Sequence, residues 1–172
     1  AGASLGLRLK DSAREVGVEV FSVGGQTNEL MFGEVIIFLN DSLGNAFSYV
    51  RKQHRQLVSK MRDVAVQFLE YLKDGLWLEN ALHANRMASL LAGELRTMEH
   101  LRIVHPVEVN SLFVRMHKDV IARLGERFYF YTLDTENAEG FPEDWHLVRL
   151  MTSFDTTESQ VAEFAEAIGA CK

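Results

Sequence analysis

Gly24-Gly25 closes an apolar run and is followed by the polar triplet Gln26-Thr27-Asn28. A glycine pair lets backbone approach a bound group closely, although after a strand it is more often only a turn. Thr27 offers a hydroxyl at this loop, and no lysine lies between Lys10 and Lys52. Arg149 lies near the carboxy end in an apolar segment. Its planar guanidinium fork suits a carboxylate, and an ordinary strand-surface ion pair would use the same fork. Arg62 ends the run Ser59-Lys60-Met61-Arg62, and its plain reading is the solvated side of a helix. The six histidines (His54, His83, His100, His105, His117 and His146) show no paired spacing of metal-ligand type, so no metal site is expected. No Ser-His-Asp grouping follows from the order of residues. Cys171 is expected to be exposed, without activation, and as the single cysteine it can form no internal disulfide.

These residues must be held by elements that the apolar pattern outlines. Val18–Val23 is rich in β-branched and aromatic side chains and reads as a strand. Gly33–Leu39 is a nearly continuous apolar run, as in a strand covered on both faces. From Asn40 to about Lys73 the pattern is helical. Val50, Leu57, Met61, Val64, Phe68 and Leu72 form one apolar stripe, and Gly75 ends it. A second helix is predicted from Trp77 to Met98. After Pro106 come a strand over Glu108–Arg115, a helix over Lys118–Glu126, an aromatic strand Phe128–Tyr131, a loop over Asp134–Asp144 and a strand Trp145–Met151. The Phe128–Tyr131 aromatics suit sheet packing rather than base stacking, given the acidic balance. Thr157-Glu158-Ser159-Gln160 has the form of a capping box, opening a last amphipathic helix.

With 172 residues, 47% of them hydrophobic and 24% charged, the chain has the composition of a globular protein able to bury a core without disulfides or metal. The net charge of −6 argues against a nucleic-acid or membrane-surface role, since both call for a basic face. No apolar run reaches membrane-spanning length, and Ala1–Lys10 has no signal-like apolar core. A cytoplasmic location, without nucleic-acid or membrane partners, is the expectation.

The segment Val20-Phe-Ser-Val-Gly-Gly-Gln-Thr-Asn-Glu-Leu-Met-Phe-Gly-Glu34 resembles the cofactor-lysine loop of the threonine aldolase and β-eliminating lyase family of pyridoxal-phosphate enzymes. In that family a strand runs into Ser-aromatic-Gly-Gly-Thr-Lys-Asn-Gly, an apolar pair, Phe-Gly-Glu and another strand. The resemblance continues through Arg51-Lys-Gln53, Ser59–Arg62, Trp77–Ala81, His83–Asn85, Pro106–Asn110, Arg149 and Ser153–Thr157. It covers essentially the whole chain, and its ordered set is more specific than any one motif. The implied fold class is α/β with an α+β small domain. Residues 1–75 would be the end of a fold-type I large domain with the start of the linking helix, and residues 76–172 the carboxy-terminal small domain.

The resemblance implies pyridoxal 5′-phosphate as the family cofactor, with Gly25, Gln26, Thr27 and Arg62 at cofactor-contact positions. Arg62 matches a residue near the cofactor phosphate of a neighbouring subunit. Arg149 matches the arginine that holds the amino-acid substrate's carboxylate. The family reaction is aldol cleavage of, or elimination from, β-hydroxy-α-amino acids, with the cofactor as electron sink. Two departures qualify this. The family lysine falls on Thr27, whose hydroxyl forms no imine, so no catalytic residue is intact; the following family glycine is Glu29. The amino-terminal segments that bring the phosphate loop, the ring-stacking histidine and the ring-nitrogen aspartate have no counterpart, so the chain reads as a carboxy-terminal half. The expectation is a homologue or fragment of such a lyase, inactive on its own and at most weakly and non-covalently bound to cofactor. The alternative is a non-catalytic module that self-associates or packs on a partner chain, such as the missing half.

Overall fold

The computed structural model describes residues 1–6, 9–134 and 140–171, and the chain divides into two compact units, Gly2–Glu79 and Asn80–Lys172.

The first unit contains helix α1 (Leu9–Glu15), strands β1 (Val20–Gly24) and β2 (Glu34–Phe38), and helices α2 (Phe47–Gln53) and α3 (Met61–Leu72). β1 and β2 pair antiparallel as a two-stranded sheet, with Val20 opposite Phe38 and Gly24 opposite Glu34. Neither strand has a fully buried residue. The double-sided cover that the apolar run calls for is therefore not provided within the described residues. Val64, Phe68 and Tyr71 on α3 supply most of the small buried core of this unit.

The helix predicted from Asn40 to Lys73 is interrupted. α2 ends at Gln53, with His54 as its C-cap and Arg55 in the left-handed region (φ 58°). The Gln56 amide donates to the Arg51 carbonyl (2.9 Å) and the Arg55 amide to that of Lys52 (3.1 Å), closing α2 in a left-handed C-cap. No glycine or proline marks the break, so periodicity carried across it. The buried stripe is Val64, Phe68 and Tyr71, whereas Val50, Leu57 and Leu72 are exposed. The next turn, Lys73–Gly75, holds Gly75 at φ 82° before α4 (Leu76–Leu95) begins.

The second unit is a four-stranded antiparallel sheet in the order β3 (Leu101–Ile103), β4 (Ser111–His117), β6 (Trp145–Met151), β5 (Tyr131–Asp134), with helices α5 (Lys118–Gly125) and α6 (Glu158–Gly169). Alternate residues Leu112, Val114, Met116, Val148 and Leu150 turn to one face. They bury against Met87, Leu91 and Leu95 of α4, Val120 and Leu124 of α5, and Val161 and Ile168 of α6. Thr157 caps α6 as the capping box requires: its side chain accepts from the Gln160 amide (3.2 Å), and Gln160 Oε1 accepts from the Thr157 amide (2.8 Å).

The aromatic strand shifts from its predicted place. Only Tyr131 of Phe128–Tyr131 joins the ladder, because the rings of Phe128 and Phe130 turn edge-on to Phe164. Of the loop expected over Asp134–Asp144, Asp134 ends β5, and residues 135–139 lie outside the described residues.

Candidate functional site

β1 delivers the chain to Gly24, and Gln26–Asn28 then form one 3₁₀ turn. The Gly24 carbonyl accepts from Thr27 Oγ1 (3.1 Å) and from Asn28 Nδ2 (2.6 Å), while the Gly25 carbonyl accepts from the amides of Asn28 (2.9 Å) and Leu30 (3.0 Å). Glu29 takes the left-handed conformation, φ 73°, that ends the turn. The turn thus gathers Gly25, Gln26 and Thr27, with Gly25 buried and the other two exposed.

The glycines here have an internal cause. A Cβ on Gly25 would lie 2.7 Å from the Gly33 carbonyl oxygen and 3.2 Å from the Phe68 ring. Gly33 has φ 117°, and its Cβ would lie 2.6 Å from Val64 Cγ1. The Gly25 amide donates to the Gly33 carbonyl at 2.7 Å. The loop therefore lies against α3, and α3's Val64 and Phe68 fill the space that side chains would take. Gly24 differs, since its Cβ would meet Thr27 Oγ1 at 2.9 Å and Glu34 Oε2 at 3.3 Å. A carboxylate and a hydroxyl thus stand beside it.

Beneath this loop Tyr71 is buried, and its phenol is pushed up to about 12, first by burial and then by the charge of Glu29. A cavity of about 910 Å³ in the same unit is walled by Phe32, Ile36, Val50, Val64 and Phe68, with Gln26, Glu34, Arg51 and His54 as polar members. Arg51 Nε is buried there without a hydrogen-bond partner among the described residues. Arg62 stands exposed in the first turn of α3, with no ion pair among the described residues.

Arg149 belongs to the other unit. On β6 it lies between Phe113 of β4 and Tyr131 of β5, on the sheet face opposite buried Val148 and Leu150. It is half-buried, and its Nε donates to Ser111 Oγ at 3.2 Å. No carboxylate pairs with it among the described residues, so the ordinary ion pair considered for it is absent there. Nothing in the sequence singles out Ser111; only the sheet register brings its hydroxyl to Arg149.

His83, His100 and His117 are occupied separately, whereas His146 Nδ1 is buried without a hydrogen-bond partner among the described residues. His83 Nε2 donates to the Thr156 carbonyl (2.7 Å) while its Nδ1 accepts from Arg86 (2.9 Å). His100 Nε2 donates to the Ile168 carbonyl (3.1 Å). His117 Nδ1 caps α5 by accepting from the Asp119 amide (3.2 Å). Among the described residues no three His, Cys, Asp or Glu side chains gather as metal ligands, and no helix is long and apolar enough to cross a membrane. Cys171, expected to be exposed, is half-buried against the core and donates its thiol to the Ala167 carbonyl at 3.2 Å. The α6 stripe carries it there, one helical turn beyond Ala167.

No family model matches the chain. Two curated relatives do. The low specificity L-threonine aldolase of a Pseudomonas species is 34% identical over 171 residues, covering 99% of this chain and 47% of that protein. The low specificity L-threonine aldolase of Pseudomonas aeruginosa is 36% identical over 169 residues, covering 98% and 46%. The solved Leishmania major threonine aldolase superposes with a TM-score of 0.83 at 32% identity, over 95% of this chain and 46% of that one. Sphingomonas wittichii serine palmitoyltransferase, at 14% identity and TM-score 0.65, shares the fold, covering 94% and 41%. The chain spans about half the length of the curated relatives it matches. With its mixed α/β architecture of helices and antiparallel sheets, it matches a carboxy-terminal part of the threonine aldolase family.

Proposed function

We propose that this chain is the carboxy-terminal portion, or a shortened homologue, of a pyridoxal-phosphate-dependent lyase of fold type I that cleaves β-hydroxy-α-amino acids. By itself it does not perform that chemistry. When bound, the cofactor supplies an electron sink for the substrate's α-carbon. The carrying observation is Thr27. At the position where the family holds its lysine, this chain has a hydroxyl already donated to the Gly24 carbonyl.

The loop residues do not fit a tethered aldehyde cofactor. No amine stands in the turn, and a hydroxyl gives no imine. Glu29, which ends the turn where the family has glycine, adds a negative charge that opposes a phosphate-bearing ligand. No catalytic step is therefore assigned to Thr27. What the chain retains in this reading is substrate recognition: Arg149 presents a guanidinium with no carboxylate partner among the described residues, suited to an α-carboxylate. Arg62, exposed on α3, stays in the reading as a contact for cofactor phosphate in a neighbouring subunit.

Incubation with pyridoxal phosphate followed by borohydride tests this directly. The expected outcome is no site-specific pyridoxyl group on the chain. Thr27→Lys should give labelling at position 27, in poor yield. Specific labelling of the unaltered chain on another lysine, with visible absorbance from the tethered cofactor, would restore the enzyme reading.

A second reading is favoured by one observation. Met31, Phe32, Ile36, Tyr49, Leu57 and Val58 are exposed apolar side chains within the Gly2–Glu79 unit, beside a two-stranded sheet that pairs with no further strand among the described residues. They support a module that associates with itself or with an amino-terminal half. Sedimentation of the purified chain tests it: a monomer at micromolar concentration argues against self-association.

A further inference from the structure

We infer that Ser111 is a positioning residue for Arg149, and that it directs the guanidinium to take a carboxylate end-on through its two terminal amino groups. The inference rests on the carboxylate-binding reading of Arg149 proposed above. An arginine can meet a carboxylate side-on, through Nε and one terminal nitrogen, or end-on through both terminal nitrogens. Here Nε–H is already donated to Ser111 Oγ at 3.2 Å. The side-on edge is occupied, and the end-on fork has no carboxylate partner among the described residues.

The backbone that carries this hydroxyl is held in place. Ser111 opens β4 opposite Met151 of β6, while Arg149 pairs with Phe113, so Ser111 and Arg149 are diagonal neighbours on one sheet face. The adjoining backbone is clamped. Asn110 Nδ2 donates to the Thr152 carbonyl (2.8 Å), the Thr152 amide donates to the Asn110 carbonyl (3.1 Å), and buried Thr152 Oγ1 donates to the Ala84 carbonyl (2.7 Å). These three bonds tie the start of β4 to the end of β6 and to α4. A long arginine loses much rotamer freedom on binding, and a fixed acceptor at Nε removes part of that loss beforehand.

The test follows the Arg149 Nε–Hε resonance of the full ¹⁵N-labelled chain, assigned by its disappearance in Arg149→Lys, while L-threonine is added. The expected result is a saturable shift in the parent chain and none with threoninol, which lacks the carboxylate. Ser111→Ala should weaken the dissociation constant about fivefold, the worth of one such hydrogen bond. It should also speed exchange of the Nε proton with water even without ligand. Ser111→Thr keeps a hydroxyl and should restore both, with melting temperatures alike in all three chains. Parent-like affinity and proton exchange in folded Ser111→Ala would overturn the positioning role while leaving Arg149's role standing. Absence of any threonine-dependent shift at Arg149 in the parent chain would overturn both.

Discussion

The two units differ in what holds them. Asn80–Lys172 buries a continuous core in which Leu95, Leu112, Val114, Met116, Val148 and Ile168 have essentially no exposure, with helices packed on one sheet face. Gly2–Glu79 buries little beyond Val64, Phe68 and Tyr71, and its two strands have no fully buried residue. A two-stranded sheet is marginal in water without more strands or a covering helix. The first unit compensates by pressing a glycine loop onto α3. One unit thus rests on apolar volume, the other on close backbone approach at a few positions, and the two should fail differently.

The largest effect should come from the packed core. Leu112→Ala removes a fully buried side chain from the middle of β4 and should cost about 3 kcal/mol, lowering the melting temperature of the cooperative transition by about 10 °C. Calorimetry would show it, and a loss under 1 kcal/mol would mean that this core collapses around the cavity.

Gly33→Ala probes the other unit. It forces a side chain onto backbone at φ 117° and sets a Cβ 2.6 Å from Val64 Cγ1. About 2 kcal/mol should be lost. Hydrogen exchange should report it as faster opening of amides in β1, β2 and α3, with those of β4 and β6 unchanged. Equal acceleration in both units would erase the contrast drawn between them.

The same contrast explains what the sequence discloses. In Asn80–Lys172 the boundaries of α5, β6 and α6 follow from alternation and from a capping box, because local pattern and burial agree there, whereas β4 runs from Ser111 to His117 rather than over the expected Glu108–Arg115. In Gly2–Glu79 the strands are legible from their residues, but the helix break at Arg55 is not, since an arginine in a left-handed cap leaves no compositional mark. β3 is three residues long and follows no alternation that a window could detect. The glycine loop was legible as a loop. Its packing against Val64 and Phe68 was not, because that depends on how α3 returns over the hairpin. Arg149 could be picked out by type and matched position; its bond to Ser111 required the strand register.

The smallest effect concerns Tyr71, and its sign follows from its surroundings. Burial, seconded by the charge of Glu29, raises the phenol to about 12, whereas in the unfolded chain it ionises near 10. Below pH 10 both states hold the proton and nothing is lost. As pH climbs from 10 through about 12, the unfolded chain releases it first, and stability falls over that window. Tyr71→Phe removes the titration. Above pH 10 the variant should therefore lose less stability than the parent, while below pH 9 the two respond to pH in parallel. Denaturant unfolding followed at pH 8 and pH 11 would reveal this as a difference between the two chains that changes with pH. An unchanging difference would place the phenol in contact with water and Glu29 out of its reach. The first unit's thin core would then be thinner still, and the loop above it would owe its shape to the glycines alone.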